Sequence, residues 1–311
     1  MGPAVSLDRL TRDFGGLRAV DGLTFDVLPG ELFGIVGPDG AGKTTTLRML
    51  AGVLRPSSGD ASVAGVSVVR DPEGVKHHIA YMSQRFGLYT DLTVRENIEF
   101  YADLYRVPRH ERPPRLERLY AFSGLGPFEH RLAGQLSGGM KQKLGLCAAL
   151  IHEPDILLLD EPTFGVDPIS RRDLWLIIHE MVASGVTVIV STAYLDEAER
   201  CDRVALFHKG KVAVIERPEA LQRRLHDQVL AVRTDQPRRA HEVLKGHPAV
   251  RQTVLFGDVI HVILVSGAAD WPGARDHLAA DGIVVLEENA IEPSLEDVFV
   301  DLVQGREAEH D

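Results

Sequence analysis

Gly37-Pro38-Asp39-Gly40-Ala41-Gly42-Lys43-Thr44 follows an apolar run, Leu32–Val36, and precedes a helical stretch that ends near Gly52. A strand, a glycine-rich loop and a helix in that order point to an α/β fold with the loop at the carboxyl end of a buried strand. The octapeptide fits G-x-x-x-x-G-K-[ST], the phosphate-binding loop. The chemistry needs these residues. Glycines let successive N–H groups turn inward on phosphate oxygens. The helix N-terminus adds positive potential. Lys43 is placed to reach β- and γ-phosphates, and Thr44 to ligate Mg²⁺.

Two further segments carry polar groups at telling positions. Ile156-Leu-Leu-Leu-Asp160 is a continuous apolar run that ends in a carboxylate, followed by Glu161. Such a run reads as a parallel strand buried on both faces, and its carboxyl end borders the usual ligand crevice. Asp160 is expected to hold Mg²⁺ through water and Glu161 to polarise an attacking water. Leu136-Ser137-Gly138-Gly139-Met140 places a serine and two glycines at a helix start, an anion-binding geometry.

The rest of the chain reads as ordinary globular protein of 311 residues, enough for two domains. Strands are expected at 23–27 and 32–36, split by Pro29-Gly30, and short strands after the Pro56–Gly59 turn to about Val69. Residues 93–136 read as interrupted helix, broken at Pro108, Pro113-Pro114 and Pro127. Ser137 opens a helix whose Leu144, Cys147, Ala148 and Ile151 share one face; Pro154 ends it. A helix at 171–184, a strand at 186–190 and a hairpin at 204–208 and 211–215, turning at Lys209-Gly210, follow. Beyond Arg217 the pattern is strand 229–233, helix 237–246, strands 250–255 and 258–265, helix 270–281, strand 283–287 and helix 294–303. That order suggests a small α+β module of βαββαβ type.

The formal charge is −11, and residues 218–311 hold 17 acids against 9 bases. This balance argues against a nucleic-acid partner. Two cysteines, Cys147 and Cys201, make no disulfide framework and fit a reducing compartment. No run of 18 apolar residues is present, and the N-terminus lacks a basic flank followed by an apolar stretch, so neither a membrane span nor a signal peptide is expected. The opening Met1–Ser6 matches a myristoylation pattern by chance.

The phosphate loop, Leu136–Met140, Ile156–Glu161 and Glu161-Pro162-Thr163-Phe164-Gly165-Val166-Asp167-Pro168 occur in this order. Together they resemble the ATP-binding subunit of an ATP-binding-cassette (ABC) transporter over about residues 5–215. The resemblance implies a P-loop NTPase domain over 1–217, with a mostly parallel sheet core, an antiparallel β subdomain and a helical subdomain at about 85–153. A linker (218–228), the α+β module (229–304) and a tail (305–311) complete the expected organisation. ATP and Mg²⁺ are the implied cofactors. In the family two such domains sandwich two nucleotides, so Ser137, Gly138 and Gly139 are expected to serve the partner's ATP.

Other positions follow from the same resemblance. Gln84 in Tyr81-Met82-Ser83-Gln84 matches the Q-loop glutamine, which touches Mg²⁺ or water and links to the membrane subunit. Phe14 matches the aromatic that stacks on adenine, a contact worth roughly 1–3 kcal/mol in nucleic-acid sites. Thr45 matches the α-phosphate contact, and Asp167 the D-loop aspartate that communicates across the dimer. The nucleotide-binding set is thus Phe14, Gly37, Pro38, Asp39, Gly40, Ala41, Gly42, Lys43, Thr44, Thr45, Ser137, Gly138 and Gly139. Glu161, Gln84 and Lys43 are the catalytic set, and Thr44, Gln84 and Asp160 the Mg²⁺ set.

One position departs from the family. Val190-Ser191-Thr192-Ala193-Tyr194-Leu195-Asp196-Glu197-Ala198 carries Ala193 where a histidine contacts the γ-phosphate. Losing one positioned polar contact costs ~10²–10³ in rate by analogy with an oxyanion-hole donor. The alternative reading is therefore a non-hydrolysing or degenerate-site partner subunit, and beyond it a soluble non-transport cassette. Only 53 positions separate Gln84 from Ser137, too few for the long coiled coils of chromosome-type cassettes. Ile291–Val300 and Arg85–Asn97 are similar to the multidrug or daunorubicin-resistance-like branch, whose ATPases pair with ABC-2-type permeases and usually drive export. That implies a peripheral place at the cytoplasmic membrane face.

The remaining polar clusters read as structural. His77-His78, His208, His241 and His247 lack ligand spacing. Arg106, Arg109, Arg112, Arg115 and Arg118 read as a solvated, irregular part of the helical subdomain, with anionic lipid headgroups as the sharper alternative.

Overall fold

The computed structural model describes residues 2–84, 87–225 and 228–308. Arg85 and Phe86 of the 85–97 segment, residues 226–227 of the expected linker and residues 309–311 of the tail lie outside the described residues. The chain divides into two units, 1–194 with 201–214, and 195–200 with 215–311.

Unit 1 opens on a hairpin of β1 (Val5–Phe14) and β2 (Leu17–Val27). β1 was invisible in the sequence pattern for a physical reason. Register shifts between Leu7, Leu10 and Arg12 bury both Leu10 and Thr11, which erases the period of two. β3 (Leu32–Val36) is buried at every residue, and α1 (Lys43–Leu50) follows the glycine loop. β4 (Ser58–Val63) and β5 (Val66–Ser67) complete a four-stranded antiparallel sheet in the order β2-β1-β4-β5.

The short α2 (Pro72–Val75) leads to β6 (Ile79–Met82). A capping box starts α3 (Val94–Leu104): Thr93 Oγ1 accepts from the Glu96 N–H, and the Glu96 carboxylate accepts from the Thr93 N–H. α4 (Arg112–Ser123) corrects the sequence reading of this region. Pro113-Pro114 begins a helix there instead of breaking one, because the missing N–H groups are orphans in a first turn anyway. The arginines are correspondingly ordered: Arg112 pairs with Asp103, Arg115 with Glu111 and Glu153, and Arg118 with Glu153.

Two strand–helix repeats carry the chain back through the core: α5 (Gly138–Leu150), β7 (Ile156–Asp160), α6 (Pro168–Ala183) and β8 (Thr187–Thr192). α7 (Leu195–Ala198) belongs to unit 2. β9 (Arg203–His208) and β10 (Lys211–Glu216) form a hairpin whose turn residues Lys209 (φ 47°) and Gly210 (φ 79°) are both left-handed, as a type I′ turn requires. The six-stranded sheet runs β10-β9-β3-β8-β7-β6, with β6, β7, β8, β3 and β9 parallel. β3, β7 and β8 are buried throughout, which is why they read as unbroken apolar runs. Parallel core, antiparallel sheet and helical subdomain match the expected fold class.

In unit 2, residues 218–225 are helical where a linker was expected: α8 (Pro218–Gln222) and a 3₁₀ turn. Then follow β11 (Val229–Thr234), α9 (Pro237–Lys245), β12 (Val250–Phe256), β13 (Val259–Leu264), α10 (Trp271–Ala280), β14 (Val285–Ala290) and α11 (Leu295–Ala308). The antiparallel sheet order β12-β13-β11-β14 gives a ferredoxin-like βαββαβ module. Val232, Ile260, Val262, Leu244 and Leu278 lie at its core.

One buried carboxylate ties α11 to this sheet. Asp297 is fully buried and accepts from His261 Nδ1 (2.9 Å), the Ser294 N–H (2.9 Å) and Ser294 Oγ (2.7 Å). Burial pushes its pKa up, but the bonds from His261 and Ser294 outweigh it and hold the carboxyl below its ordinary 3.8. A depressed carboxyl pKa adds stability that is complete above about pH 4 and is lost as pH falls through the folded value. Asp297→Asn is therefore expected to destabilise the chain by about 1–3 kcal/mol at pH 7 and to flatten the acid limb of its stability curve. Thermal melts of both proteins between pH 7 and pH 3 check this; parallel acid limbs would refute it.

Candidate functional site

The phosphate loop starts where β3 ends. The Gly37 N–H donates to the Thr192 carbonyl at 3.3 Å, locking the loop to the end of β8. Two glycines are sterically required. A Cβ on Gly37 would lie 2.4 Å from the Phe207 carbonyl oxygen. Gly42 has φ 101°, and its Cβ would lie 2.6 Å from the Ala19 carbonyl oxygen. Pro38, Asp39 and Gly40 are exposed, while Thr44 and Thr45 are half-buried. No side chain caps the N-terminus of α1 and no acid occupies its first turn. Its positive end is left for an anion.

Lys43 is buried, and its ammonium donates to the carbonyls of Gly37 (2.8 Å) and Pro38 (3.1 Å). It also lies 3.2 Å from Glu161 Oε1, in a pair whose side chains are 5% and 13% exposed. Gln84 Nε2 donates to the other carboxylate oxygen, Glu161 Oε2, at 2.9 Å. Glu161 adopts φ 49°, an uncommon backbone state for a residue with a side chain. Its N–H donates to the Ser191 carbonyl and to Ser191 Oγ, each at 3.1 Å.

Asp160 is buried at the end of β7 and accepts from three hydroxyls. Thr44 Oγ1 (2.9 Å) and Ser191 Oγ (2.8 Å) reach Oδ1, and the Tyr81 hydroxyl (3.2 Å) reaches Oδ2. Burial and the nearby Asp160 charge push the Tyr81 pKa up to about 12, so the phenol stays a donor. Thr44, Asp160 and Gln84 offer the hard oxygen ligands that Mg²⁺ takes, and Lys43 with the loop offers cationic donors for phosphate. The donor set fits both groups.

Sequence reasoning missed Ser191 and Tyr81. Both lie near the carboxyl ends of parallel strands, β8 and β6, where polar side chains border the crevice; that placement was the available signal.

Among the described residues the other candidates share no side-chain hydrogen bond with this cluster. Phe14 is at the tip of the β1–β2 hairpin, 43% exposed, with the Arg12 guanidinium 4.5 Å from its ring centre. Ser137 caps α5 by accepting from the Met140 N–H (3.3 Å), and both Ser137 and Gly138 are exposed. Gly139 is buried against Ser170, whose Oγ would lie 2.2 Å from an added Cβ. Among the described residues no hydrogen bond or ion pair joins Ser137 to the phosphate loop. Asp167 caps α6, accepting from the Ile169 and Ser170 N–H groups, and the Ser170 bonds lower its pKa. Ala193 is exposed and follows Thr192, whose carbonyl holds Gly37. Among the described residues no three His, Cys, Asp or Glu side chains cluster as a metal site.

This geometry agrees with what the chain is similar to. The ABC transporter family profile matches residues 20–164. The Nod factor export ATP-binding protein I of Rhizobium meliloti is 34% identical over 98% of this chain and 89% of its own length. The chain belongs to the ABC transporter ATP-binding family. A probable multidrug ABC transporter ATP-binding protein of Escherichia coli, YbhF, is 43% identical over 97% of this chain. The chain spans about half, 52%, of that relative's length. A solved dimeric ATP-binding cassette in a post-hydrolysis state, bound to ADP and Pi, shares 26% identity with a TM-score of 0.62, over 68% of this chain and 98% of its own. This ABC cassette therefore presents its loop, Asp160 and Glu161 on the framework of its family.

Proposed function

We propose that the chain binds ATP with Mg²⁺, hydrolyses it, and in a dimer of cassettes energises a separate ABC-2-type permease for multidrug export. One observation carries the reading: Lys43, Thr44, Asp160, Glu161 and Gln84 converge at the carboxyl ends of the parallel strands, joined by direct hydrogen bonds and an ion pair. When bound there, Mg²⁺ would neutralise charge developing on the phosphate oxygens. Lys43 would exchange Glu161 for phosphate, which frees Glu161 Oε1 to orient water, while Gln84 keeps Oε2 in place. Thr44 and Asp160 would hold the metal, with Ser191 and Tyr81 fixing the Asp160 carboxylate. Exposed Ser137 and Gly138 would serve a second cassette, and Phe14 would stack on adenine. The permease would hold the chain at the membrane's cytoplasmic face; among the described residues no helix is long and apolar enough to cross a membrane.

Ala193 favours one second reading, a weakened site paired with a complete cassette on another subunit. Light scattering separates the two. In the Glu161→Gln background, saturating Mg-ATP is expected to double the particle mass. Ser137→Arg is expected to hold the chain monomeric without loss of ATP binding. A monomer at saturating nucleotide overturns the homodimer and turns the reading to a different cassette partner.

A further inference from the structure

Unit 1 contains a cavity of about 740 Å³ at the amino ends of β7 and β8, opposite the ends that border the phosphate loop. Its walls include Ile156 and Thr187, the first residues of β7 and β8, whose last residues border the nucleotide site. The volume falls within the roughly 300–1,000 Å³ of small-molecule sites. Phe122 from α4, Met181 from α6 and Ile156 give it an apolar lining.

The charges in this lining select a ligand class. Arg115, Arg118, Glu153, Asp155 and Glu180 line the cavity, a surplus of one negative charge. Both guanidinium groups are already engaged. Arg115 donates to the Ile151 carbonyl (3.0 Å) and pairs with Glu111 and Glu153, and Arg118 pairs with the same Glu153. Asp155 Oδ2 lies 2.8 Å from His78 Nδ1. The Glu180 carboxylate makes no hydrogen bond or ion pair among the described residues. An anion entering here meets committed arginines and a free carboxylate; a cation meets that carboxylate over an apolar floor.

We propose that this cavity is a binding site for amphipathic organic cations, separate from the nucleotide site. The proposal does not depend on hydrolysis, since the phosphate loop lies at the other end of the strands. Tetraphenylphosphonium is a suitable probe, and tetraphenylborate is its control of equal shape and opposite charge. Calorimetry of the intact chain is expected to give saturable binding of one phosphonium per chain, with the borate at least tenfold weaker. Glu180→Gln is expected to weaken phosphonium binding about two- to fivefold, as suits an exposed carboxylate. Ala121→Trp, at an exposed α4 position on the rim, is expected to abolish it while the melting temperature stays near that of the parent. Saturating Mg-ATP is expected to leave binding unchanged. Displacement by nucleotide, equal binding of both probes, undiminished binding by a folded Ala121→Trp chain, or no saturable binding each overturns the proposal.

Discussion

Glu161→Gln will stop ATP turnover and tighten ATP binding at once. The rate loss follows from chemistry. A positioned carboxylate that orients and deprotonates water contributes about 10²–10⁴-fold, and an amide oxygen is too weak a base to replace it. The gain in affinity follows from the geometry without nucleotide. Lys43 Nζ lies 3.2 Å from Glu161 Oε1, so phosphate must compete with that carboxylate for the ammonium. Glutamine removes the competitor's charge and leaves the Gly37 and Pro38 carbonyls to hold the lysine in place. Relief of about 1–2 kcal/mol corresponds to a factor of roughly 5–30 in Kd. Steady-state phosphate release and a nucleotide-binding titration on the same preparation check both halves. Turnover that survives in the variant would remove Glu161 from the chemistry, whereas weaker binding would mean that the Lys43–Glu161 pair orders the loop for nucleotide.

The parts of this site that the sequence disclosed are those where one residue type is chemically forced. Gly37 and Gly42 back onto carbonyl oxygens that exclude any Cβ, and the buried strand before Asp160 has to be apolar on both faces. Short motifs carry such constraints whole. Ser191 and Tyr81 were hidden because each is a common polar residue, and only the parallel register of β6, β7 and β8 brings their hydroxyls to Asp160. The pairing of Lys43 with Glu161, 118 positions apart in the chain, is likewise a property of strand order. In the fold, the four-residue edge strand β6 was not anticipated, whereas β3, β7 and β8 announced themselves through unbroken apolar runs. β1 did not, because its bulges destroy alternation. β14 was placed early, because as an edge strand it carries exposed Glu287, Glu288 and Asn289 where a buried strand would carry aliphatic residues. Pro113-Pro114 misled for the opposite reason: proline breaks a helix interior but suits a first turn.

Ala193→His is expected to raise turnover tenfold to a hundredfold with little change in ATP affinity. Parallel pairing puts Thr192 opposite Val36, and the Thr192 carbonyl accepts the Gly37 N–H, so position 193 is the first beyond the strand at the level of the phosphate loop. The alanine is exposed, and the Tyr194 N–H is held by Thr192 Oγ1 at 3.0 Å, so the turn keeps its shape when the side chain grows. A ring nitrogen there supplies the donor whose loss costs ~10²–10³ by analogy with an oxyanion-hole group. Because such a donor acts on charge that develops during phosphoryl transfer, its effect belongs in kcat and not in KM. Single-turnover and steady-state rates of the parent, Ala193→His and Ala193→His with Glu161→Gln separate the cases. A faster single variant and a silent double variant mean that histidine works through the Glu161 chemistry, and that the natural chain runs with one contact missing. No gain in the single variant means that another donor already fills the role. Gln84 is then the first to test, since it alone among the named side chains donates to Glu161 Oε2, and Gln84→Ala should cost far more than it does in a cassette that carries the histidine.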